Sequence, residues 1–156
     1  MSSRHAFALS LAALLLMGRA ALAQDATNVE ELHRRGLALR EEGRPSEALD
    51  LFRRAHALRP EPRSLVRMAL AEAELGRWVD AHAHLRAAMS APDDRFIRQH
   101  RRDLEEELDG IRGHVGLLEV QSATPGVTVS INGGDAMPLP PAPVTVPEGA
   151  LNLELA

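Results

Sequence analysis

"LHRRGLALREEGRPSEALDLFRRAHALRP" (residues 32–60) is followed by a related stretch, "LVRMALAEAELGRWVDAHAHLRAAMSAPD" (residues 65–93). The two stretches share apolar and small residues at a constant offset of 33 positions, while their charged residues differ. Such a pattern indicates that the two stretches share their packing contacts but not their surface residues. It predicts an array of similar structural units. The matching pairs are Leu32/Leu65, Gly36/Ala69, Gly43/Gly76, Ala48/Ala81, Phe52/Leu85 and Ala55/Ala88.

Each unit has the signals of two helices joined by a short turn. Thr27 and Glu30 have the spacing of a capping box, which predicts that the first helix begins there. Gly43 is placed to end this helix as a C-cap, and Pro45 suits the first turn of the next one. Pro60 stops the second helix. The small residues that recur in both units predict that the antiparallel helices of each pair approach closely.

The spacing of Leu32, Gly36, Gly43, Phe52 and Pro60 resembles the tetratricopeptide repeat, whose period is about 34 residues. The resemblance implies an α–α superhelix in which the first helix of each pair lines a concave groove. It places seven residues on the groove wall, namely Glu30, His33, Leu37, Arg40, Arg63, Val66 and Leu70. Arg40 and Arg63 are expected to bind a carboxylate of a protein partner. The alternatives are an ordinary helical bundle and ordinary surface residues at these positions.

A further helix is predicted at residues 94–112, where Asp93 and Asp94 precede an apolar stripe. The stripe consists of Phe96, Ile97, Leu104, Leu108 and Ile111. We interpret this helix as the cap that closes the repeat stack, because terminal repeats need a polar outer face. A coiled-coil or docking helix is the alternative. The helical repeat domain then covers residues 27–112.

The remainder of the chain is predicted to form a small antiparallel β module, which makes the fold class α+β. Four segments with strand signals lie at 116–123, 126–131, 143–146 and 150–156, and the second and fourth alternate apolar with polar residues. Asn132-Gly133 is a turn signal. The segment "MPLPPAP" is expected to be an extended or loop connection, because proline cannot donate a hydrogen bond to a sheet.

The β module resembles a PEGA domain, a small module of bacterial envelope and surface proteins. The resemblance rests on Thr124-Pro125-Gly126, on Asn132-Gly133 and on Pro147-Glu148-Gly149, with a proline-rich segment between the last two. The family usually continues past the last strand, so we expect the β domain at residues 115–156 to be incomplete. Its open edge is then a site for self-association.

The first 23 residues are predicted to be a signal peptide. Arg4 precedes an apolar core at residues 6–17, and Ala21-Leu22-Ala23 forms a cleavage site. The core is shorter than the roughly 20 residues that span a bilayer, although an uncleaved anchor is the alternative. Cleavage near Ala23 predicts a periplasmic or secreted protein. No later apolar run is long enough to span a membrane.

The composition excludes several function classes. A formal net charge of −4 argues against nucleic acid as a partner. The chain has no cysteine, and His82 and His84 point about 200° apart on a helix, so we expect no metal and interpret the histidines as solvated. No phosphate-binding loop or nucleophile elbow occurs, which predicts no cofactor and no enzymatic activity. The sequence therefore predicts a non-enzymatic interaction scaffold of the bacterial envelope, with envelope anchoring or glycan binding through the β domain as the alternative.

Overall fold

A computed structural model describes residues 28–124 and 126–156 of the chain. The predicted signal peptide and Thr27 of the predicted capping box lie outside these residues. Five helices precede five short strands in the described part, which confirms the α+β class. The helices are α1 (28–41), α2 (Pro45–Leu58), α3 (Pro62–Glu74), α4 (Trp78–Met89) and α5 (Arg95–Arg112).

The turns α1–α2 and α3–α4 have the same geometry, as the 33-residue offset predicts. Gly43 and Gly76 both have positive φ, at 72° and 70°, a conformation that glycine adopts without steric cost. The Arg44 amide donates to the Leu39 carbonyl, and the Arg77 amide donates to the Glu72 carbonyl, both at 2.8 Å. This six-to-one bond is the Schellman motif, so both predicted C-caps are confirmed.

Close contact between the helices of each pair depends on the repeated small residues. A Cβ atom at Gly36 would lie 2.3 Å from Cε1 of Phe52 on α2, so only glycine allows this approach. The alanines at the equivalent contact positions are all fully buried, namely Ala48, Ala55, Ala69, Ala81 and Ala88. The expected close approach of the helices is therefore confirmed.

Helix α5 covers the last repeat unit. Asp94 accepts hydrogen bonds from the amides of Phe96 and Ile97, at 2.9 and 3.2 Å, which begins the helix as predicted. Its apolar stripe is buried in one cluster with residues of α3 and α4, including Val66 and Leu85. The buried members of the stripe are Ile97, Leu104, Leu108 and Ile111. The stripe is therefore buried against the last repeat unit, and the capping role of α5 stays a prediction.

The β module consists of two small antiparallel sheets. Strands β1 (Val115–Leu118) and β4 (Val144–Pro147) form one pair, in which Gly116 lies opposite Val146. The other sheet has the order β3-β2-β5, with β2 (Thr128–Ile131) between β3 (Met137–Pro138) and β5 (Leu153–Leu155). Val129 in the central strand is fully buried.

The strand predictions require four corrections. The first strand ends at Leu118 instead of continuing to residue 123. Met137–Pro138 pairs with β2 as a short edge strand, a position where proline is tolerated because no amide is needed on its outer side. Ser130 is buried rather than solvent-facing, since its hydroxyl donates to the Gly134 carbonyl at 2.7 Å. Leu153 and Leu155 are exposed rather than half-buried.

The helices and the β module meet at the start of α4 and just after the end of α5. The ring of His114 stacks on the indole of Trp78, with centroids 3.9 Å apart and an interplanar angle of 12°. The Glu148 amide, just after β4, donates to the His114 carbonyl at 2.9 Å. The first turn of α4 is therefore linked through His114 to the β1–β4 pair.

Candidate partner-binding groove

A groove of about 410 Å³ lies across the first helices of the repeat units, at the C-terminal halves of α1, α3 and α5. The residues that line it come from these three helices and from the junction with the β module. They are Arg40, Leu70, Ala73, Glu74, Trp78, Glu107, Gly110, Ile111 and His114. The resemblance to tetratricopeptide repeats predicts a groove on these first helices. Of the seven predicted residues, Arg40 and Leu70 line it.

The groove combines an apolar floor with an aromatic end. Leu70 and Ala73 of α3 are partly buried against the core that contains Ile111. Trp78 closes one end, where His114 covers one face of the indole. The indole ring presents an apolar body and a polar tip, a combination that is frequent in protein interfaces. This arrangement can hold an apolar side chain of a partner.

Arg40 and Arg63 do not have free guanidinium groups. Arg40 is bound by Glu74, with Nε 3.0 Å from Oε1 and a second contact through Nη2. Arg63 holds Glu30 through both terminal nitrogens, of which Nη1 is 3.2 Å from Oε2. The hydrogen bond from Arg63 is the main cause of the lowered pKa of Glu30. A partner carboxylate would therefore have to displace an internal one from either arginine.

His33 and Val66 are buried, so neither is available on the surface of the groove. Val66 belongs to the core beside α5. His33 is 1% exposed, and its Nε2 lies 2.9 Å from the Oγ atom of the buried Ser64. Burial, followed by the charges of Arg67 and Arg63, lowers the pKa of His33 to about 4. The expectation of solvated histidines is wrong here, and also at His82, which is 7% exposed.

The pairing of His33 with Ser64 has the composition of a nucleophile and a base, but its position does not suit catalysis. Ser64 is fully buried, so no substrate reaches its Oγ atom in this conformation. The second ring nitrogen of His33, Nδ1, is buried without a hydrogen-bond partner among the described residues. A catalytic pair needs a third group that orients the base at this nitrogen. The pair joins α1 to α3 as a structural contact.

The other predicted residues divide between two places. Arg40 and Leu70 line the groove, and Leu37 lies one turn before Arg40 on α1 with 36% of its surface exposed. Glu30 and Arg63 lie at the N-terminal ends of α1 and α3, whereas the groove lies at the C-terminal halves of these helices. Arg63 lines a separate recess of about 300 Å³ between α3 and the start of α5. The groove role of the seven residues stays a prediction.

Sequence reasoning missed the contribution of α5 and the junction to the groove. Glu107, Ile111 and His114 line it although α5 was assigned only a capping role. A signal was available, because a third helix in the position of a first helix must face the same groove. The role of Trp78 depends on where the β module docks, which the sequence does not reveal.

A polar cluster around the buried carboxylate of Glu72 connects α2, α3 and α4. Glu72 is fully buried, with Oε2 2.6 Å from Nδ1 of His84 and Oε1 3.5 Å from Nη2 of Arg53. The tetratricopeptide pattern favours an apolar residue at this position, so the carboxylate is a departure from it. Nothing in the described residues 28–124 and 126–156 groups three or more acidic or histidine side chains as a metal site.

The family model of the tetratricopeptide repeat matches residues 29–62, which cover α1, α2 and the start of α3. No curated protein matches the chain, and no solved structure matches it. The family match and the repeated helical hairpins together support a tetratricopeptide-type protein. Such repeats are generally interaction modules without catalytic activity, so they indicate a scaffold that binds protein partners. None of the helices in the described part of the chain is long and apolar enough to cross a membrane.

Proposed function

We propose that the chain is an exported interaction scaffold that binds an apolar segment of a partner protein in the groove of α1, α3 and α5. The observation that carries this proposal is the groove itself, which lies on the first helices of tetratricopeptide-type hairpins. Its floor is formed by Leu70, Ala73 and Ile111, with Trp78 at one end. These apolar groups provide the affinity, because burying apolar surface is the dominant favourable term in association.

The charges in the groove favour a partner segment that is not strongly acidic. Arg40 is neutralised by Glu74, so this pair offers no free positive charge. Glu107 on α5 has no ion-pair partner among the described residues, which leaves negative charge at the rim. We therefore expect a segment with one or two large apolar side chains and a basic residue near Glu107.

Export is the second part of the proposal, and it is supported by the sequence of residues 1–23. A short apolar core after Arg4 and a cleavage site at Ala21-Leu22-Ala23 are typical of secretory signals. The compartment is then the periplasm or the exterior of a bacterial cell. N-terminal sequencing of the mature protein should show a chain that begins near Gln24. A mature chain that still begins at Met1 would contradict export by cleavage.

Photo-crosslinking from two matched positions tests the groove. A photoreactive phenylalanine analogue replaces Leu37 on the groove helix α1 in one variant, and Leu58 on the second helix α2 in the other. The two leucines are comparably exposed, at 36% and 49%. Crosslinking in intact cells should capture one discrete partner from position 37 and not from position 58. Equal capture from both positions, or capture from position 58 alone, would contradict the groove.

Charge substitutions at the same positions provide a second test. Leu37→Glu places a charge beside the groove and should weaken capture of the crosslinked partner by about tenfold or more. Leu58→Glu is the control and should leave capture unchanged. Because Trp78 is the single tryptophan of the chain, its emission should shift when the identified partner segment binds to the wild-type protein. An unchanged emission at saturation would place the partner elsewhere.

Attachment through the PEGA-like β domain is the second candidate, and one observation favours it. Leu117 is 74% exposed, and Leu153 and Leu155 are also exposed on the β module. Exposed apolar residues on a small module indicate a contact surface. Under this candidate, Leu117→Ser should release the protein from envelope fractions while Leu37→Glu should not. The opposite result supports the groove.

A further inference from the structure

A second cleft lies away from the groove, where α4 and the end of α5 meet the β1–β4 pair. It has a volume of about 320 Å³. Helix α4 contributes His82 and Arg86, helix α5 contributes Arg112, and β1 contributes Val115 and Leu117. The cleft is thus basic on its helical side and aliphatic on its sheet side. None of these residues takes part in the proposed groove.

The helical side of the cleft carries two guanidinium groups, of which that of Arg86 is unpaired among the described residues and that of Arg112 is paired with Asp109. His82 and Arg86 are four residues apart on α4 and so lie on one face of the helix. Arg112 approaches from α5, and its Nη1 donates a hydrogen bond to Oδ1 of Asp109 at 2.7 Å. Arg86 has no ion pair among the described residues, in a chain whose net charge is −4. Arg86 therefore places an unpaired positive charge in the cleft of an otherwise acidic protein, with the guanidinium of Arg112 beside it.

His82 lines the cleft beside both arginines. Its pKa is lowered first by burial, and then by the charges of both Arg86 and Arg112. Both guanidinium groups therefore act on the same ring. The lowered pKa of His82 favours the neutral imidazole, which can donate one hydrogen bond and accept another.

The sheet side of the cleft is apolar and has a free edge. Val115 and Leu117 are two positions apart on β1 and so lie on the same face of the strand. Leu117 is the most exposed large apolar residue among the described ones. Strand β1 pairs only with β4 in the described residues, so its other edge keeps unpaired amides and carbonyls. An extended peptide can bind at such an edge through its main chain.

We propose that this cleft binds an extended segment of a protein partner in which acidic side chains alternate with aliphatic ones. The carboxylates bind Arg86 and Arg112, and the aliphatic side chains cover Leu117. Charge complementarity selects this occupant. An anionic membrane fits less well, because the net charge of −4 opposes binding to a negatively charged surface and the positive charge is confined to one small cleft.

The test measures fluorescence anisotropy of labelled peptides with the full mature chain. One probe is an octapeptide of alternating leucine and glutamate, and the other replaces every glutamate with glutamine. We expect the glutamate peptide to bind at least about tenfold more tightly, and we expect salt to weaken its binding. Equal affinity of the two peptides, or no binding at about 1 mM protein, would overturn the proposal.

Matched variants test whether the cleft is the binding site of the glutamate peptide. Arg86→Gln combined with Arg112→Gln should reduce the affinity for the glutamate peptide by about tenfold or more. Arg101→Gln combined with Arg102→Gln removes the same charge from the exposed face of α5, where both arginines pair with glutamates, and should have little effect. Equal losses in both double variants would show that only the overall charge matters, which would refute a specific cleft.

Two further measurements keep the proposal testable if the arginine variant does not fold. Leu117→Ser changes an exposed side chain and should weaken the glutamate peptide without altering the circular dichroism spectrum. Vesicles of phosphatidylglycerol serve as the competing ligand and should not bind. Unchanged peptide affinity in Leu117→Ser, or binding of vesicles that depends on Arg86 and Arg112, would overturn the proposal. Neither readout involves the groove, so failure here leaves the proposed function standing.

Discussion

Acidification should destabilise the helical repeat because the buried His33 binds a proton less readily in the folded chain than in the unfolded chain. The ring is 1% exposed, with Nε2 on the Ser64 hydroxyl and Nδ1 buried without a hydrogen-bond partner among the described residues. Arg67 and Arg63 add positive charge nearby, and burial lowers the pKa of Arg67 to about 10. The pKa of His33 falls from 6.5 to about 4, mainly because burial disfavours the charged imidazolium.

The magnitude follows from the difference between these two pKa values. In the unfolded chain His33 binds its proton at about pH 6.5, whereas in the folded chain it does so only near pH 4. Between these values the unfolded state holds more protons, so the free energy of unfolding rises with pH. One pKa unit corresponds to about 1.4 kcal/mol, which makes the loss about 3 kcal/mol on going from pH 7 to pH 4.

Urea unfolding at a series of pH values measures this loss, with circular dichroism and Trp78 emission as the signals. The matched variant is His33→Gln, which keeps a polar partner for Ser64 but does not titrate. The wild type should lose about 3 kcal/mol more than the variant between pH 7 and pH 4. The carboxylates, including Glu30 with its lowered pKa, lose their contribution in both proteins as the pH falls toward 4. Parallel curves for the two proteins would refute the reasoning.

A second variant distinguishes the contribution of His33 to the pH dependence of stability from that of His82, whose pKa is also lowered by burial. His82→Gln should remove a smaller part of the pH dependence, because its side chain reaches the cleft beside Arg86. The double variant should lose less stability than His33→Gln alone between about pH 7 and pH 5, where carboxylates remain charged. A double variant that loses as much stability as the wild type in this window would contradict the role of both histidines.

The remaining predictions concern packing and caps, and all are measured by urea unfolding at pH 7. Gly36→Ala should destabilise the fold by about 1–3 kcal/mol, because the new methyl group overlaps the ring of Phe52. Gly110→Ala is the control and should stabilise by up to about 1 kcal/mol, since no atom lies within 4 Å of the new Cβ; shifts of the same sign would contradict the packing. Glu72→Ala should cost about 1–3 kcal/mol by leaving its basic neighbours without a buried acceptor, and an unchanged midpoint would show that the cluster adds nothing. Asp94→Ala should cost about 1 kcal/mol through loss of the N-cap, and Asp94→Asn should recover most of it, a difference that a purely electrostatic role would not produce.

The helical half of the fold was predictable because its signals are local. Gly43 and Gly76 each end a helix through a conformation that glycine adopts more readily than other residues, and Pro45 begins one. These choices depend on neighbours within a few positions along the chain. The offset of 33 then specifies the packing, because Gly36 and its alanine counterparts must contact the facing helix.

The site was less predictable because it depends on contacts between distant residues. Arg63 looked free in the sequence, but Glu30 lies 33 positions away and one repeat earlier, directly beside it. His33 was expected on the surface, yet α3 covers it with Ser64. No periodicity specifies such polar partners, since charged residues differ between the repeats.

The β module shows the same limit. Alternation correctly predicted the burial of Val129, because the central strand is covered on its apolar face. The same pattern at Leu153 and Leu155 failed, because both side chains stay exposed on the edge strand β5. Alternation indicates which residues share a face, but contacts with residues distant in the sequence determine whether that face is covered.

The stack of His114 on Trp78 makes the two halves of the protein thermodynamically dependent on each other. Both rings line the groove, and the His114 carbonyl also accepts a hydrogen bond from the Glu148 amide after β4. A ligand that needs the stacked arrangement must strengthen the docking of the β module by the same factor by which docking strengthens ligand binding. Replacing Glu148 with proline, which removes this amide donor, is then able to change the affinity of a ligand that the residue does not touch.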